Sequence, residues 1–482
     1  MRHDLIPLRD GAKTLLAGGL LAALTLHVPV RADSTDALID KLVKKGVLTL
    51  DEGQELKTET RQEAAATAPA PESKWKINPG IKSVELFGDA RFRYEYRGAE
   101  TVAGDTLARE RFRYALRLGI RGDLLDHFYY GMRVETAQNP RSPWVTFGDE
   151  SSYPFPGPSS KTSDGINIGQ VYVGWRTTDW LTLEVGKMAN PLYTTAMVWD
   201  SDINPEGASE RFKHSFGKFD LFATFGQFLY QDTNPDNPAP GISGGAPNKS
   251  DAFLLAWQLG AKYNFNTNMS LKLAPAIYNY TGHGQNGGYN GKFIGEGSAT
   301  GGNPYDPTTV GFINQSGVND LLVFETPGEF NFKVSGLNMR VFGDFAMNLH
   351  GGARAAAAGF RQFEDENMAY QVGLGIGNLG LAYGQTSRKG TWEARTYWQH
   401  VEQYALDVNL LDSDFFEGRG NLQGIYAAFA YSITDNIIGT VRYGYGDRIQ
   451  KGLGTGGSNQ DLPQLNPVTN YQLLQADLTY RF

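Results

Sequence analysis

The 482-residue chain contains no cysteine. Disulfides and thiolate metal sites are therefore excluded. Beyond the N-terminus no run of 18 apolar residues occurs, which excludes a bundle of membrane-spanning helices. His127, His214, His283, His350 and His400 are scattered without metal-ligand spacing. No Gly-x-Ser-x-Gly elbow is present. Gly375, Gly377 and Gly380 match a dinucleotide fingerprint as text, but no helix or acidic partner follows, so they read as strand glycines near a bulge. No enzyme, catalytic residue, metal or cofactor is expected. Basic residues are the minority, 44 against 52 acidic. That balance argues against nucleic acid as a partner.

What is abundant is glycine, with 58 residues, and tyrosine, with 24. The mixture suits many strands joined by tight turns and ringed by aromatics. Residues 1–32 read as a secretory signal. Arg2, Arg9 and Lys13 precede an apolar run from Thr14 to Leu26, too short for a stable anchor, and Val30, Arg31 and Ala32 suit cleavage after Ala32. Its removal takes four basic and two acidic residues and leaves a formal charge of −10.

Residues 33–63 read as a helical hairpin. Leu38, Ile39, Leu42 and Val43 share one face of a helix over Asp36–Lys45, and Gly46 ends it. Thr49 to Glu52 has the spacing of a capping box for a second helix through about Gln62. Residues 64–79 form a linker rich in Ala and Pro. The hairpin suits either a periplasmic stalk or anchor, or an appendage packed under the domain that follows.

From Val84 to the end the pattern alternates with period two. In the first strand Val84, Leu86, Phe92, Tyr94 and Tyr96 oppose Glu85, Asp89, Arg91, Arg93, Glu95 and Arg97. The last strand sets Leu474, Ala476, Leu478, Tyr480 and Phe482 against Gln475, Asp477, Thr479 and Arg481. An outward apolar face is an aggregation hazard in water and suits a lipid boundary, with the polar face around a wet lumen. Short turns are expected at 122–127, 177–179, 217–218, 266–268, 335–336, 387–390 and 434–436. Long loops are expected at about 98–107, 139–166, 190–209, 231–250, 281–319, 350–367, 406–420 and 447–469. Together they predict an all-β fold: a transmembrane antiparallel β-barrel of about sixteen strands over residues 80–482. Tyr370–Gln385, whose alternation slips near Gly377, is either one bulged strand or two short ones, and the second case gives eighteen.

The segments ERFRYALRLGIRGDLLDHFYYGMRVETAQNPRSPWVTFGD (110–149), IGQVYVGWRTTDWLTLEVGKMANPLYTTAMVWDSDINPEG (168–207) and YWQHVEQYALDVNLLDSDFFEGRGNLQG (397–424) resemble the putative-porin family of proteobacterial outer membranes. So does the helical preface, and the similarity covers nearly the whole mature chain. The resemblance implies an outer-membrane channel for small hydrophilic solutes. Its expected partners are the lipid bilayer, lipopolysaccharide, the barrel assembly machinery and two further copies in a homotrimer. Leu478, Tyr480 and Phe482 then match the C-terminal signal that the insertion machinery reads.

Two groups of residues are candidates for the channel's chemistry. Arg91, Arg93, Arg111, Arg113, Arg117, Arg121 and Arg133 form a basic strip on the lumen side of the first three strands, interleaved with Glu95 and Glu135. A row of permanently charged guanidiniums can favour anions; the same carboxylates can instead brace the strip as a wall. The third long loop carries Tyr193, Trp199, Asp200, Asp202 and Glu206. As in general diffusion porins, it is expected to fold into the lumen with its acids facing the strip; a loop lying on the outer surface is the alternative. The acidic spacing of Asp200, Asp202 and Glu206, echoed by Asp412, Asp414 and Glu417, also admits calcium, although Pro205 sits where a calcium loop needs glycine. Trp144, Trp175, Trp180, Trp257 and Trp392 are expected in interfacial belts. A structural sleeve or tether with little flux, and an anion- or phosphate-selective channel, are the alternative functions.

Overall fold

The computed structural model describes Ile39, residues 41–49, 52–54, 56–57, 78–137, 142–148, 165–232, 251–282, 317–379, 388–457, 461–462 and 465–482. The chain divides into one unit up to Ile77 and another from Asn78 to Phe482. In the first, helical residues 41–44 end at Gly46, whose φ of +70° favours a residue without Cβ. The Val47 N–H reaches back to the Leu42 carbonyl at 3.0 Å, which satisfies a terminal helix acceptor. Thr49 and Glu52 exchange bonds as a capping box: Glu52 Oε2 accepts the Thr49 N–H at 2.8 Å and Thr49 Oγ1 accepts the Glu52 N–H at 3.3 Å. The segment expected to be a signal, the far end of the expected second helix and most of the expected linker lie outside the described residues.

In the second unit one sheet contains β1 (Glu85–Thr101), β2 (Thr106–Asp123), β3 (Phe128–Ala137), β4 (Val145–Thr146), β5 (Gly165–Arg176), β6 (Leu181–Lys187), β7 (Glu206–Phe216), β8 (Phe219–Gln231), β9 (Ala252–Asn266), β10 (Met269–Leu273), β11 (Ala276–Thr281), β12 (Leu322–Glu325), β13 (Gly328–Val334), β14 (Leu337–Asn348), β15 (Met368–Gly377), β16 (Trp392–Val401), β17 (Leu422–Ser432), β18 (Ile437–Arg448) and β19 (Val468–Arg481). Strand β4 is a loop segment laid on the edge of β2. Pro275 interrupts β10 and β11, which both pair with β9, and Pro327 interrupts β12 and β13, which both pair with β14. Proline has no N–H for the ladder, so each pair is one broken stave. The result is a closed antiparallel barrel of sixteen staves.

Closure rests on β1 and β19, which pair from Asp89↔Arg481 to Thr101↔Val468 and leave no free sheet edge. Below them the Gly88 and Phe482 backbones exchange bonds of 3.0 and 3.1 Å. A Cβ on Gly88 would lie 2.4 Å from the Arg117 carbonyl and 2.7 Å from the Phe482 ring. Because the first clash is with backbone, Gly88→Ala is expected to destabilise the seam by about 1–3 kcal/mol. Loss of heat-resistant compact mobility at lower temperature on unboiled gels checks this; mobility like that of the parent would show that the seam tolerates the methyl.

The alternation falls as expected. Leu86, Phe112 and Leu259 are more than 60% exposed on the outside, whereas Glu95, Gln258 and Gln475 are completely buried inside. Around the short-turn rim rings run in a row. Phe216 meets Phe219 at 5.5 Å, Phe219 meets Tyr263 at 4.7 Å, and Tyr263 meets Phe265 at 4.8 Å. Trp175 stacks on Phe128 beside this row, as an interfacial belt requires. Trp144 does not join it: it is buried inside the barrel.

Two expectations about the strands are corrected. Residues 98–107 are not a long loop, because β1 and β2 extend to Thr101 and Thr106 and stay in register to the Glu100↔Thr106 pair. Strand β15 pairs with β14 from Asn338↔Gly377 to Met347↔Met368 without a register shift, so the slip near Gly377 marks the strand's end. Residues 380–387, where a second short strand was considered, lie outside the described residues.

Candidate functional site

The expected basic strip lies on the inner wall, and nearly every member has a carboxylate partner. Arg91 bonds Asp89 at 2.5 Å. Arg93 bonds Asp477 at 2.8 Å and Asp414 at 2.7 Å. Arg111 holds Glu95 through Nε at 2.6 Å and Asp461 at 2.6 Å. Arg117 bonds Asp202 at 2.5 Å and lies 3.5 Å from Glu135, which also takes Arg133 at 3.0 Å. Arg121 pairs with Glu85 at 2.7 Å, both about half exposed at the short-turn rim. Arg113 differs: its carboxylate contact is Glu95 at 3.7 Å. The strip is therefore a braced wall for most of its length. Removing one partner of such a buried pair costs about 3–5 kcal/mol, because the other is left charged and dry.

Loop 188–205, between β6 and β7, crosses the inside of the barrel and is held at both ends. On one side Asp202 grips Arg117 of β2, the second stave. On the other, Thr194 Oγ1 donates to Glu325 of β12 at 2.6 Å and Thr195 Oγ1 donates to Asp344 of β14 at 2.5 Å. These are the tenth and eleventh staves, so the loop bridges opposite walls. Tyr193 exchanges backbone bonds of 2.8 and 2.7 Å with the Gln258 amide of β9, and Lys272 sits 3.3 Å above its ring. Trp199 is buried edge-on against Phe228 at 6.2 Å and lies 6.4 Å from Tyr278.

Asp200 does not face the strip. It turns to loop 402–421, between β16 and β17, which also folds inward. Asp200 Oδ2 accepts the Ser413 N–H at 3.2 Å and the Ser413 hydroxyl at 3.1 Å. The Asp200 N–H donates to the Leu410 carbonyl at 2.6 Å, and the Asp412 N–H donates to that of Ala196 at 3.2 Å. The second loop is tied down by Arg93 on Asp414 and by Arg97 on the Ser413 and Asp414 carbonyls. Burial pushes the Asp200 carboxyl well up, and neighbouring Asp412 and Asp202 add to it. Burial, with Asp414 beside it, pushes Asp412 up to about 7. At Asp202 burial works the same way, but Arg117 and Arg91 outweigh it and hold that carboxyl low. The acidic spacing that admitted calcium is thus engaged in hydrogen bonds and an arginine pair. Glu206 is corrected too. It is the first residue of β7, outside the bridging loop, and pairs with Lys187 at 3.0 Å while mostly exposed.

The two loops share an apolar core inside the barrel. Leu192, Met197, Val198 and Trp199 meet Leu406, Leu410 and Leu411 on a wall of Phe228, Leu254, Tyr278 and Val323. Among the described residues, two polar spaces lie beside these loops. One, of about 490 Å³, is lined by eight arginines and seven carboxylates, among them Arg91, Arg93, Arg113, Asp202, Asp414, Asp461 and Asp477. The other, of about 430 Å³, is lined by Glu135, Lys187, Asp202, Asn204, Glu206 and Tyr230, among others. Asp202 borders both.

A family model described as putative porin matches residues 99–288 and 323–482. The chain belongs to the putative-porin family. It is a channel protein of the bacterial outer membrane. Among solved structures it is similar to OprB of Pseudomonas putida, with 11% identity, 88% of this chain and 96% of that chain covered, and a TM-score of 0.45. It is also similar to an anion-selective porin from Comamonas acidovorans, with 11% identity, 83% and 99% covered, and a TM-score of 0.41. A third, OmpT of Vibrio cholerae, has 10% identity, 85% and 100% covered, and a TM-score of 0.39. No curated protein matches the chain.

Sequence reasoning about this porin missed the second inward loop, the buried Arg97 and the wall residues Gln258, Glu325 and Asp344. A signal existed for the wall. Phe253, Leu254, Leu255, Ala256 and Trp257 run apolar on both faces, which a lumen-facing strand has no reason to do unless something packs inside it.

Proposed function

We propose that this porin passes small hydrophilic solutes and ions by passive diffusion through a lumen narrowed by loops 188–205 and 402–421. The observation that carries the reading is the seat of loop 188–205, which bridges the second and tenth staves and leaves polar spaces lined by arginine and carboxylate beside it. Rings of fixed charge at such a constriction set ion preference. The Arg strip, with Glu95 and Glu135, then acts on permeating ions by its field, and Asp202 supplies the opposing charge. The porin works as a homotrimer in a bilayer with lipopolysaccharide, inserted by machinery that reads Leu478, Tyr480 and Phe482. Residues 1–32 are a cleaved signal, 33–63 a periplasmic helical hairpin and 64–79 its linker.

Single-channel recording tests the reading. Purified protein in planar bilayers should give discrete open-channel steps in potassium chloride. A barrel that inserts but never conducts would overturn the reading in favour of a sleeve, the outcome expected if the apolar core between the loops closes the lumen. Asp202→Asn removes the carboxylate opposite Arg117 and should move the reversal potential in a salt gradient toward anions. An unchanged reversal potential and conductance would remove Asp202 from the constriction.

A further inference from the structure

The ion pairs around β1, β2 and β19 form one connected network. It holds Arg93, Arg97, Arg109, Arg111, Arg113, Arg419 and Arg442 but only Glu95, Asp414, Glu417, Asp461 and Asp477. Among the described residues, positive charge in this network is in surplus by two. Arg109 is 41% exposed at its side chain and meets solvent. The interior surplus falls on Arg113. Its side chain is 8% exposed, and Glu95, its carboxylate neighbour at 3.7 Å, is already shared by Arg97 and Arg111. Among the described residues its one hydrogen bond is a long one, 3.4 Å from Nη2 to the Trp144 carbonyl, and Nε has no partner. A buried cation that only shares a distant carboxylate is under-compensated, and a cavity wall is where a mobile anion can add counter-charge.

Arg113 borders the 490 Å³ space together with Arg91, Arg93, Ser142 and Trp144. The indole of Trp144 lies under the Arg93 guanidinium at 4.0 Å and is 5.8 Å from that of Arg113. A guanidinium offers paired N–H donors that fit the oxygens of a carboxylate, phosphate or sulfate. We propose that Arg113 is the centre of an oxyanion-binding subsite inside the lumen, with Arg91 and Arg93 flanking it and Trp144 as one wall. The inference rests on the porin reading for the anion's route to the site, but not for the site itself. A permeating oxyanion pauses at Arg113, so flux saturates and competing oxyanions block chloride current.

Two measurements on the full-length protein keep the two readings apart. In planar bilayers, phosphate, sulfate, acetate and benzoate are each added to potassium chloride. Chloride current should fall and saturate with at least one of them. Arg113→Gln should weaken that block by about 10–100-fold, the loss of one or two charge-assisted hydrogen bonds. Arg113→Lys should lie between, and Lys451→Gln, on an exposed loop, should match the parent. Calorimetric titration of detergent-solubilised protein with the same anions reads the site without requiring conduction. Stronger binding of benzoate than acetate identifies organic carboxylates as its solutes; stronger binding of phosphate or sulfate identifies inorganic ones. Binding without current would sink the channel reading and keep the subsite. Linear current with every anion and no heat of binding, or an unaltered block in a folded Arg113→Gln protein, would overturn the subsite.

Discussion

Trp199→Ala should open the channel. The indole is 3% exposed, lies edge-on to Phe228, and donates Nε1–H to the Ile203 carbonyl at 3.0 Å. Truncating a buried Trp costs about 3–5 kcal/mol. At about 1.4 kcal/mol per factor of ten, the seated loop would lose roughly two to three and a half decades of its population advantage. The barrel ladder would remain, because Trp199 belongs to no stave. The expected result in planar bilayers is a larger and noisier single-channel conductance, with Trp199→Phe close to the parent. Wild-type conductance and noise in Trp199→Ala would mean that this loop does not limit flow.

Proton uptake at the junction of the two inward loops should tune the same property. Burial and Asp414 push Asp412 from the ordinary carboxyl value of 3.8 up to about 7, and burial with Asp412 raises Asp200 as well. A carboxyl whose folded value is raised favours the folded form while neutral. Its contribution is full below about pH 4 and is lost as pH rises through about 7. Above that, negative charges accumulate where Asp412 N–H meets the Ala196 carbonyl and Ser413 caps Asp200. The junction then loosens and the lumen becomes less favourable to anions. Recording from about pH 5 to about pH 9 should show open-channel noise rising and the reversal potential moving toward cations, with a midpoint near 7. Asp412→Asn should flatten both curves. A parent protein with flat curves, or an Asp412→Asn protein with the same midpoint, would assign the titration elsewhere.

The barrel was legible because its determinants are local. Period-two alternation reports a strand with two unlike surroundings, and this chain repeats it from Leu86 to Phe482. Turns such as Ser335–Gly336 and Gly217–Lys218 carry their own backbone signals, with φ of +50° and +85° at the first pair and +57° at Gly217. The wall of the candidate site was legible in the same way, since Arg91, Arg93, Arg111, Arg113 and Arg117 follow from parity alone. The miss at 98–107 has a local cause as well. Glycine and small residues there read as loop, while cross-strand pairing carried β1 and β2 onward to a four-residue turn at 102–105.

By itself the sequence determined the fold class and the inward and outward faces of the strands, because each depends on a residue and its neighbours along the strand. Only the tertiary structure decided which charges cancel. Asp414 and Asp477 lie hundreds of residues from Arg93, and Asp200 meets Ser413 across 213 positions. Nothing in the local pattern says that Asp200 turns to the other loop while Asp202 turns to the wall, since that choice is made by packing Trp199 and Leu410 into a shared core. Electrostatic balance in a lumen is a sum over distances in space, and those exist only once the barrel has closed.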